Sequence, residues 1–439
     1  MNTTSKNLRC IKRDGTITKF ASVKIYDAIS KANIQCDNVY NEEEISETTS
    51  CIVNNITSLG VEEISVEDIQ DIVVKRLMKE LPEIAEAYIT YRYKREIARN
   101  KNIVIIDKYK ARVQCENVQN SNANVDEYSF SGREKEAASD VSKTIALEFG
   151  GLSPKIAKAH KDMLVYQHDL EKAIYGVHNC LFLNFGKIFK KIIDEEGNLI
   201  RDGFVTRNGG VRTPAVFATA TQQIPVSFQL QSLCQFGGVA TIHVDTDLAP
   251  FVKKSFVRHF RTGLAFIESR PDDFIEKKFP KDADYSIDDP IYDKHPLVKK
   301  YAEYMLENEM RQGCEALYHN LNTLESRSGS QLPFTSINLG RDTTPEGRKV
   351  SKAIFEASLA GIGPYHRTSI FPISIFQYKK GVNANPGDPN YDLMKLALTS
   401  LSKRIYPNFI NCDFSEAHED PNDPDTLFSG MGKLQQLPM

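Results

Sequence analysis

Leu8-Arg9-Cys10-Ile11-Lys12-Arg13-Asp14-Gly15-Thr16-Ile17-Thr18-Lys19-Phe20 alternates apolar and polar residues on both sides of an Asp-Gly pair. Asp-Gly supplies the positive φ of a tight turn, so the stretch predicts a β-hairpin. Ser22 can cap a following helix whose apolar residues Ile25, Ala28, Ile29 and Ala32 recur at helical spacing. Ser65 and Asp68 stand at capping-box spacing and open another helix, with Ile69, Ile72, Val73 and Leu77 as its buried stripe. A last helix, over residues 83–99, ends in the basic run Tyr91-Arg92-Tyr93-Lys94-Arg95. The first hundred residues thus read as a hairpin packed on helices, with Lys12, Arg13, Lys19 and Lys24 grouped near the turn. Cations beside a turn and a helix N-terminus suit a polyphosphate, although charges of this kind are ordinarily only solvated surface.

Composition bounds the remainder. The 439 residues carry 55 Lys+Arg against 58 Asp+Glu, a net charge of −3, and 41% are hydrophobic. This excludes a disordered tail, a collagen-like chain and a polycationic nucleic-acid coat, and the length suggests two or three domains. The longest apolar runs, such as Ile103-Val104-Ile105-Ile106, are strand-sized, far below the roughly 18 residues of a membrane span. With no apolar signal core in the first twelve residues, neither a membrane nor a nucleic-acid partner is expected, and the expected location is cytoplasmic. Eight scattered cysteines without a C-x-x-C pair predict free thiols and no metal site. Helical patterns at 137–149, 297–316 and 393–404 alternate with apolar runs at 180–185, 239–243 and 369–376, which is an α/β arrangement. A polar stretch at 117–124 separates the two regions, and we place the boundary near Asn100.

Residues 7–99, through Ile11-Lys12-Arg13-Asp14-Gly15, Phe20, Lys24-Ile25 and the helix after Tyr88, resemble the ATP-cone, an allosteric nucleotide-binding module. The resemblance implies that Lys12 and Lys24, with Arg13, contact the phosphates of ATP or dATP. Downstream, Ser129-Phe130-Ser131-Gly132-Arg133, His168-Asp169-Leu170, His178-Asn179-Cys180-Leu181, Ser326-Arg327-Ser328-Gly329-Ser330-Gln331 and Pro333-Phe334-Thr335-Ser336-Ile337-Asn338 come in the order seen in anaerobic (class III) ribonucleoside-triphosphate reductases. The implied fold is an α/β one: an ATP-cone (1–99), a linker and start of the catalytic domain (100–135), and the first part of a ten-stranded glycyl-radical-type α/β barrel (136–432). A tail at 433–439 resembles nothing in the family.

The family resemblance implies a radical reaction on a ribonucleoside triphosphate. A glycyl radical generates a cysteine thiyl radical, and a second cysteine across the sugar reduces the intermediate with formate; weak S–H bonds make cysteine the suitable residue. Cys180 matches that second cysteine, Ser336 and Asn338 resemble the substrate-holding loop, and His168 and Asp169 lie in the region tied to effector specificity. His168 follows Gln167 where the family usually has isoleucine, and Glu171 stands where aspartate is common. A radical-SAM iron–sulfur activating enzyme is the implied partner, together with a homodimer or a complementing C-terminal fragment. The thiyl cysteine should follow Met431-Gly432, but Lys433 stands there, so this chain alone is expected to lack turnover. The alternative is a non-catalytic nucleotide-binding fragment or partner subunit. Sequencing the mature transcript across codon 432 separates the cases: continuation into Cys-Arg-Thr gives a full reductase, and termination after Met439 gives a fragment that works with a partner or a remnant that does no catalysis.

Overall fold

The structure, a computed structural model, describes residues 8–13, 15–114, 126–175, 180–327, 329–414, 420, 429–431 and 434–435. Of the sequence motifs, Asp14, residues 117–124, His178, Asn179, Ser328, Gly432 and Lys433 lie outside the described residues, as do 436–439. The chain divides into two compact units, Met1–Lys110 and Ala111–Met439.

In the first unit β1 (Arg9–Ile11) pairs antiparallel with β2 (Ile17–Lys19), closing the expected hairpin, with Gly15 at φ +80° and Lys12 N–H donating to Thr16 O at 2.8 Å. The helices α1 (Val23–Gln35) and α2 (Glu42–Ser58) follow, then β3 (Glu63–Ser65), parallel to β1, and α3 (Val66–Glu80). Ser65 caps α3 as read, its hydroxyl accepting from Asp68 N–H at 3.0 Å. Ser22 does not cap α1 through its side chain; only its carbonyl serves, accepting from Ile25 N–H at 2.9 Å. Ile25, Ile29, Ile52, Leu77 and Ile84 form the core of this unit. The last helix, α4 (Pro82–Val113), runs well past residue 99 and absorbs the run 103–106. No strand stands beside that run among the described residues, and a helix satisfies its backbone groups internally where a lone strand would not.

The second unit begins with α5 (Phe130–Glu148) and α6 (Pro154–Lys161), then β4 (Leu181–Leu183) and the single turn α7 (Phe185–Ile188). Two short hairpins follow, β5 (Ile192–Ile193) with β6 (Leu199–Arg201) and β7 (Phe204–Val205) with β8 (Gly210–Val211). The remaining elements are α8 (Phe217–Ser232), β9 (Val239–Thr241), α9 (Val244–Phe266), α10 (Asp272–Lys278), α11 (Pro296–Thr323), β10 (Thr335–Leu339), α12 (Pro345–Ala360), β11 (Ile373–Tyr378), α13 (Tyr391–Lys403), β12 (Asn408–Asn411), β13 (Gly430–Met431) and β14 (Leu434–Gln435).

Five of these strands form one parallel sheet in the order β12-β11-β10-β9-β4, so each strand lies beside its neighbour in the chain. Consecutive crossovers of one hand stack their helices on the same face. Residues alternate accordingly. Val239, Ile337, Leu339, Phe376 and Phe409 point into the large core with α8, α9, α11 and α12. Phe182, Ala240, Ser336, Asn338, Ile375, Gln377 and Ile410 share the opposite face by register, free of crossover helices among the described residues. A carboxylate network ties the helical layer: Glu309 Oε1 accepts from Ala218 N–H at 3.0 Å and from Ser255 Oγ at 2.8 Å, while Ser255 Oγ accepts from Phe217 N–H at 2.8 Å. These bonds satisfy the start of α8, whose N-cap residue Val216 has no acceptor in its side chain.

β10 is followed by Gly340, whose φ of +111° belongs to glycine and where a Cβ would stand 2.7 Å from the Phe376 ring. Gly340→Ala is expected to cost about 2 kcal/mol or more, from the left-handed backbone and the overlap together, read as a lower urea unfolding midpoint of the second unit.

Candidate functional site

The hairpin cations border two adjoining clefts in the first unit. One, of about 490 Å³, is lined by Lys12, Arg13, Lys19 and Lys24 over an apolar floor that includes Phe20, Ile25, Ile69, Val73 and Tyr88. The other, of about 600 Å³, carries Arg13, Lys24, Lys31, Arg92 and Arg95 against the single carboxylate Asp27. Arg13, Lys24, Ala28, Gln70 and Tyr88 line both clefts. An apolar slot beside a cationic one is what a nucleoside triphosphate requires, one part for the base and one for the phosphates. Two of the guanidiniums are already paired: Arg13 contacts Glu67 and reaches Gln70 Oε1 at 2.9 Å, and Arg92 bridges Glu67 at 2.8 Å and Asp71 at 2.6 Å. Arg13, assisted by Arg92, holds the Glu67 carboxyl below the usual range. Lys31, Arg92 and Arg95 extend this surface beyond the three residues read from the hairpin, because helical spacing on α1 and α4 turns them to the same side.

In the second unit Cys180 immediately precedes β4 and is level with Gly238, whose N–H points to its sulfur at 3.4 Å. By alternation it shares the helix-free face with Ser336 and Asn338. The structure therefore brings these three, far apart in sequence, to one surface, at different heights along neighbouring strands. Ser336 and Asn338 are buried, and Cys180 is half-buried. Burial pushes the Cys314 thiol up to about 12, which suits an inert core residue, and Cys412 is also buried. Arg327 lies over the Phe334 ring at 4.9 Å and donates to Phe236 O, two residues before Gly238. Burial lowers the Arg327 pKa, opposed by the negative charge of Asp169 and by Cys180.

His168 and Asp169 lie in a loop before a short 3-10 turn, where Asp169 has φ +50° and its carboxylate accepts from His168 Nδ1 at 2.7 Å. His168 is largely exposed. The sequence reading did not anticipate a further cleft, of about 1030 Å³, between α7, α9 and the loop after β8. Lys187, Lys190, Lys191, Lys254, Arg258, Arg261 and Lys281 line it, against Asp247 and Asp282. Its cations come from three separate segments, so no local motif announced it. At its inner end His243 Nδ1 lies 3.2 Å from Asp247 Oδ1, which also accepts from Gly186 N–H at 2.9 Å.

Residues 121–432 match the family model described as anaerobic ribonucleoside-triphosphate reductase, and residues 8–97 match that of the ATP cone domain. The chain belongs to the anaerobic ribonucleoside-triphosphate reductase family. It is 30% identical over 411 residues to the anaerobic ribonucleoside-triphosphate reductase of Haemophilus influenzae, covering 93% of this chain and 52% of that protein. The corresponding reductase of Enterobacteria phage T4 is 30% identical over 301 residues, 68% of this chain and 43% of the relative. A solved structure of the Thermotoga maritima anaerobic ribonucleotide reductase, in complex with dATP and CTP, overlaps 65% of this chain and 43% of its own at 15% identity and a TM-score of 0.40. The chain spans about half the length of the curated relatives it matches. Among the described residues no helix is long and apolar enough to cross a membrane.

Burial disfavours the charged imidazolium of His243, but the Asp247 carboxylate outweighs it and lifts the pKa to about 9. A histidine raised above its unfolded value contributes stability that is full below pH 6.5 and lost as pH rises through about 9. Thermal melts should therefore show a loss between these limits, and Asp247→Asn should flatten it.

Proposed function

We propose that this chain supplies the ATP-cone and the substrate-side face of an anaerobic ribonucleoside-triphosphate reductase. The first unit binds ATP or dATP through Lys12, Lys24 and Arg13, its apolar slot taking the base. In the second unit Cys180 stands on the face where the substrate ribose would lie, with Ser336 near the substrate phosphate or sugar. The observation that carries this reading is the convergence of Cys180 and Ser336 on the sheet face that no crossover helix covers among the described residues.

The chemistry the family implies replaces the ribose 2′-OH by hydrogen and releases it as water, while formate is oxidised to carbon dioxide. Cys180 contributes an S–H bond from which hydrogen passes to the sugar intermediate. The radical that starts the reaction belongs to a glycyl segment installed by a radical-SAM activating enzyme. A homodimer, or a complementing C-terminal fragment, completes the site. His168 and Asp169 stand as candidates for effector specificity, and the seven-cation cleft at α9 is the better match in charge for a second polyphosphate.

The alternative reading is a nucleotide-binding partner without turnover. Binding without turnover, after the activating enzyme and a C-terminal fragment have been supplied, would support it. Calorimetric titration with ATP tests the common part of both readings. Lys24→Ala, which removes a cation shared by both clefts, is expected to weaken ATP binding roughly tenfold or more, with Lys12→Ala acting in the same direction. Unchanged affinity in both variants would overturn the assignment of the cone site.

A further inference from the structure

Asn338 is fully buried, and each polar atom of its carboxamide is engaged. Its Nδ2 donates to Thr241 O at 2.7 Å and to Gly430 O at 2.8 Å, and its Oδ1 accepts from Gly430 N–H at 2.9 Å. With Gly430 it thus forms the reciprocal pair of bonds that the backbone of a neighbouring strand would form. Among the described residues β13 has no place in the five-stranded sheet and pairs only with β14. It lies instead on the helix-free face, held there by side chains. Ser429 Oγ donates to Ile242 O at 2.8 Å and accepts from Gln377 Nε2 at 3.3 Å. Met431 is buried. The seat is close: a Cβ on Gly430 would stand 3.2 Å from Ile410 Cδ1 and 3.5 Å from Ile375 Cδ1.

A buried backbone segment must find partners for its N–H and C=O groups, and here the sheet cannot offer its own, which are spent in the parallel ladder. Among side chains of this size only a carboxamide supplies two donors and an acceptor together. Aspartate keeps the acceptor but would face two carbonyl oxygens without a donor, and leucine, of similar volume, offers neither.

We propose that Asn338 is a positioning residue that seats residues 429–431 across the face carrying Cys180 and Ser336, and that it is not a substrate ligand. The catalytic consequence of that placement rests on the reading of the face as a reductase site, whereas the seating itself does not.

Hydrogen–deuterium exchange on the full chain, read by mass spectrometry for Gly430 and for the β11 peptide Ile373–Tyr378, tests it without any turnover. In the unaltered protein Gly430 N–H is expected to be protected. In Asn338→Leu it should exchange roughly tenfold faster or more, and Met431 should oxidise faster with hydrogen peroxide, while the β11 peptide stays protected. Leucine preserves the packing, so a role in packing alone would leave Gly430 exchange unchanged, and that result overturns the proposal. An unprotected Gly430 in the unaltered protein overturns it equally. Should Asn338→Leu fail to fold, Ser429→Ala removes the Ile242 bond with the clamp intact. It is expected to raise exchange in the same peptide by a smaller factor, and no change there counts against the seating.

Discussion

A parallel sheet must be covered on both faces, because its strands are apolar on each side. Here the order β12-β11-β10-β9-β4 sends every crossover the same way, and among the described residues the helices that pack on it take one face. The other face is left to segments that are not crossovers, and its composition reflects this: Ser336, Asn338 and Gln377 stand among Phe182, Ile375 and Ile410. Buried polar side chains on such a face are tolerable only if something bonds to them. Residues 429–431 do so, which is why the polar positions of β10 and β11 and the backbone at Gly430 are best understood together.

The two units hold charge differently. In the cone, the cations near the hairpin are exposed and partly paired with Glu67 and Asp71, so a polyphosphate would exchange carboxylate partners for phosphate ones. Such an exchange costs less than desolvating free cations. In the second unit, charged groups lie deeper. Asp245 is fully buried, and burial and the nearby Asp342 raise its pKa, while Gly340 N–H and Ser351 Oγ bond it. These groups fix loops at the carboxyl ends of β9 and β10, where α/β sheets place their binding sites.

Elements with strong local signals were legible from the residues alone. The Asp-Gly hairpin, the Ser65 cap and the alternation of helices with short apolar runs follow from turn chemistry and periodicity. Ser22 misled, because a serine before a helix reads as a cap whether or not its hydroxyl turns toward the free N–H groups. The run 103–106, strand-sized and rich in β-branched residues, is carried along by the helix on either side.

The candidate site divides along the same line. Sequence order by itself determined that the chain carries an ATP-cone followed by reductase motifs, because those depend on short contiguous patterns, and it singled out Cys180, Lys12 and Lys24. It did not determine what Asn338 does. Read in its motif, Asn338 resembles a substrate contact, and only the tertiary structure spends its carboxamide on a backbone 92 positions away. The cleft of seven cations and the convergence of Cys180 with Ser336 are likewise products of crossover and register. Local chemistry is written in neighbouring residues, but which groups face one another is decided by how the strands stack.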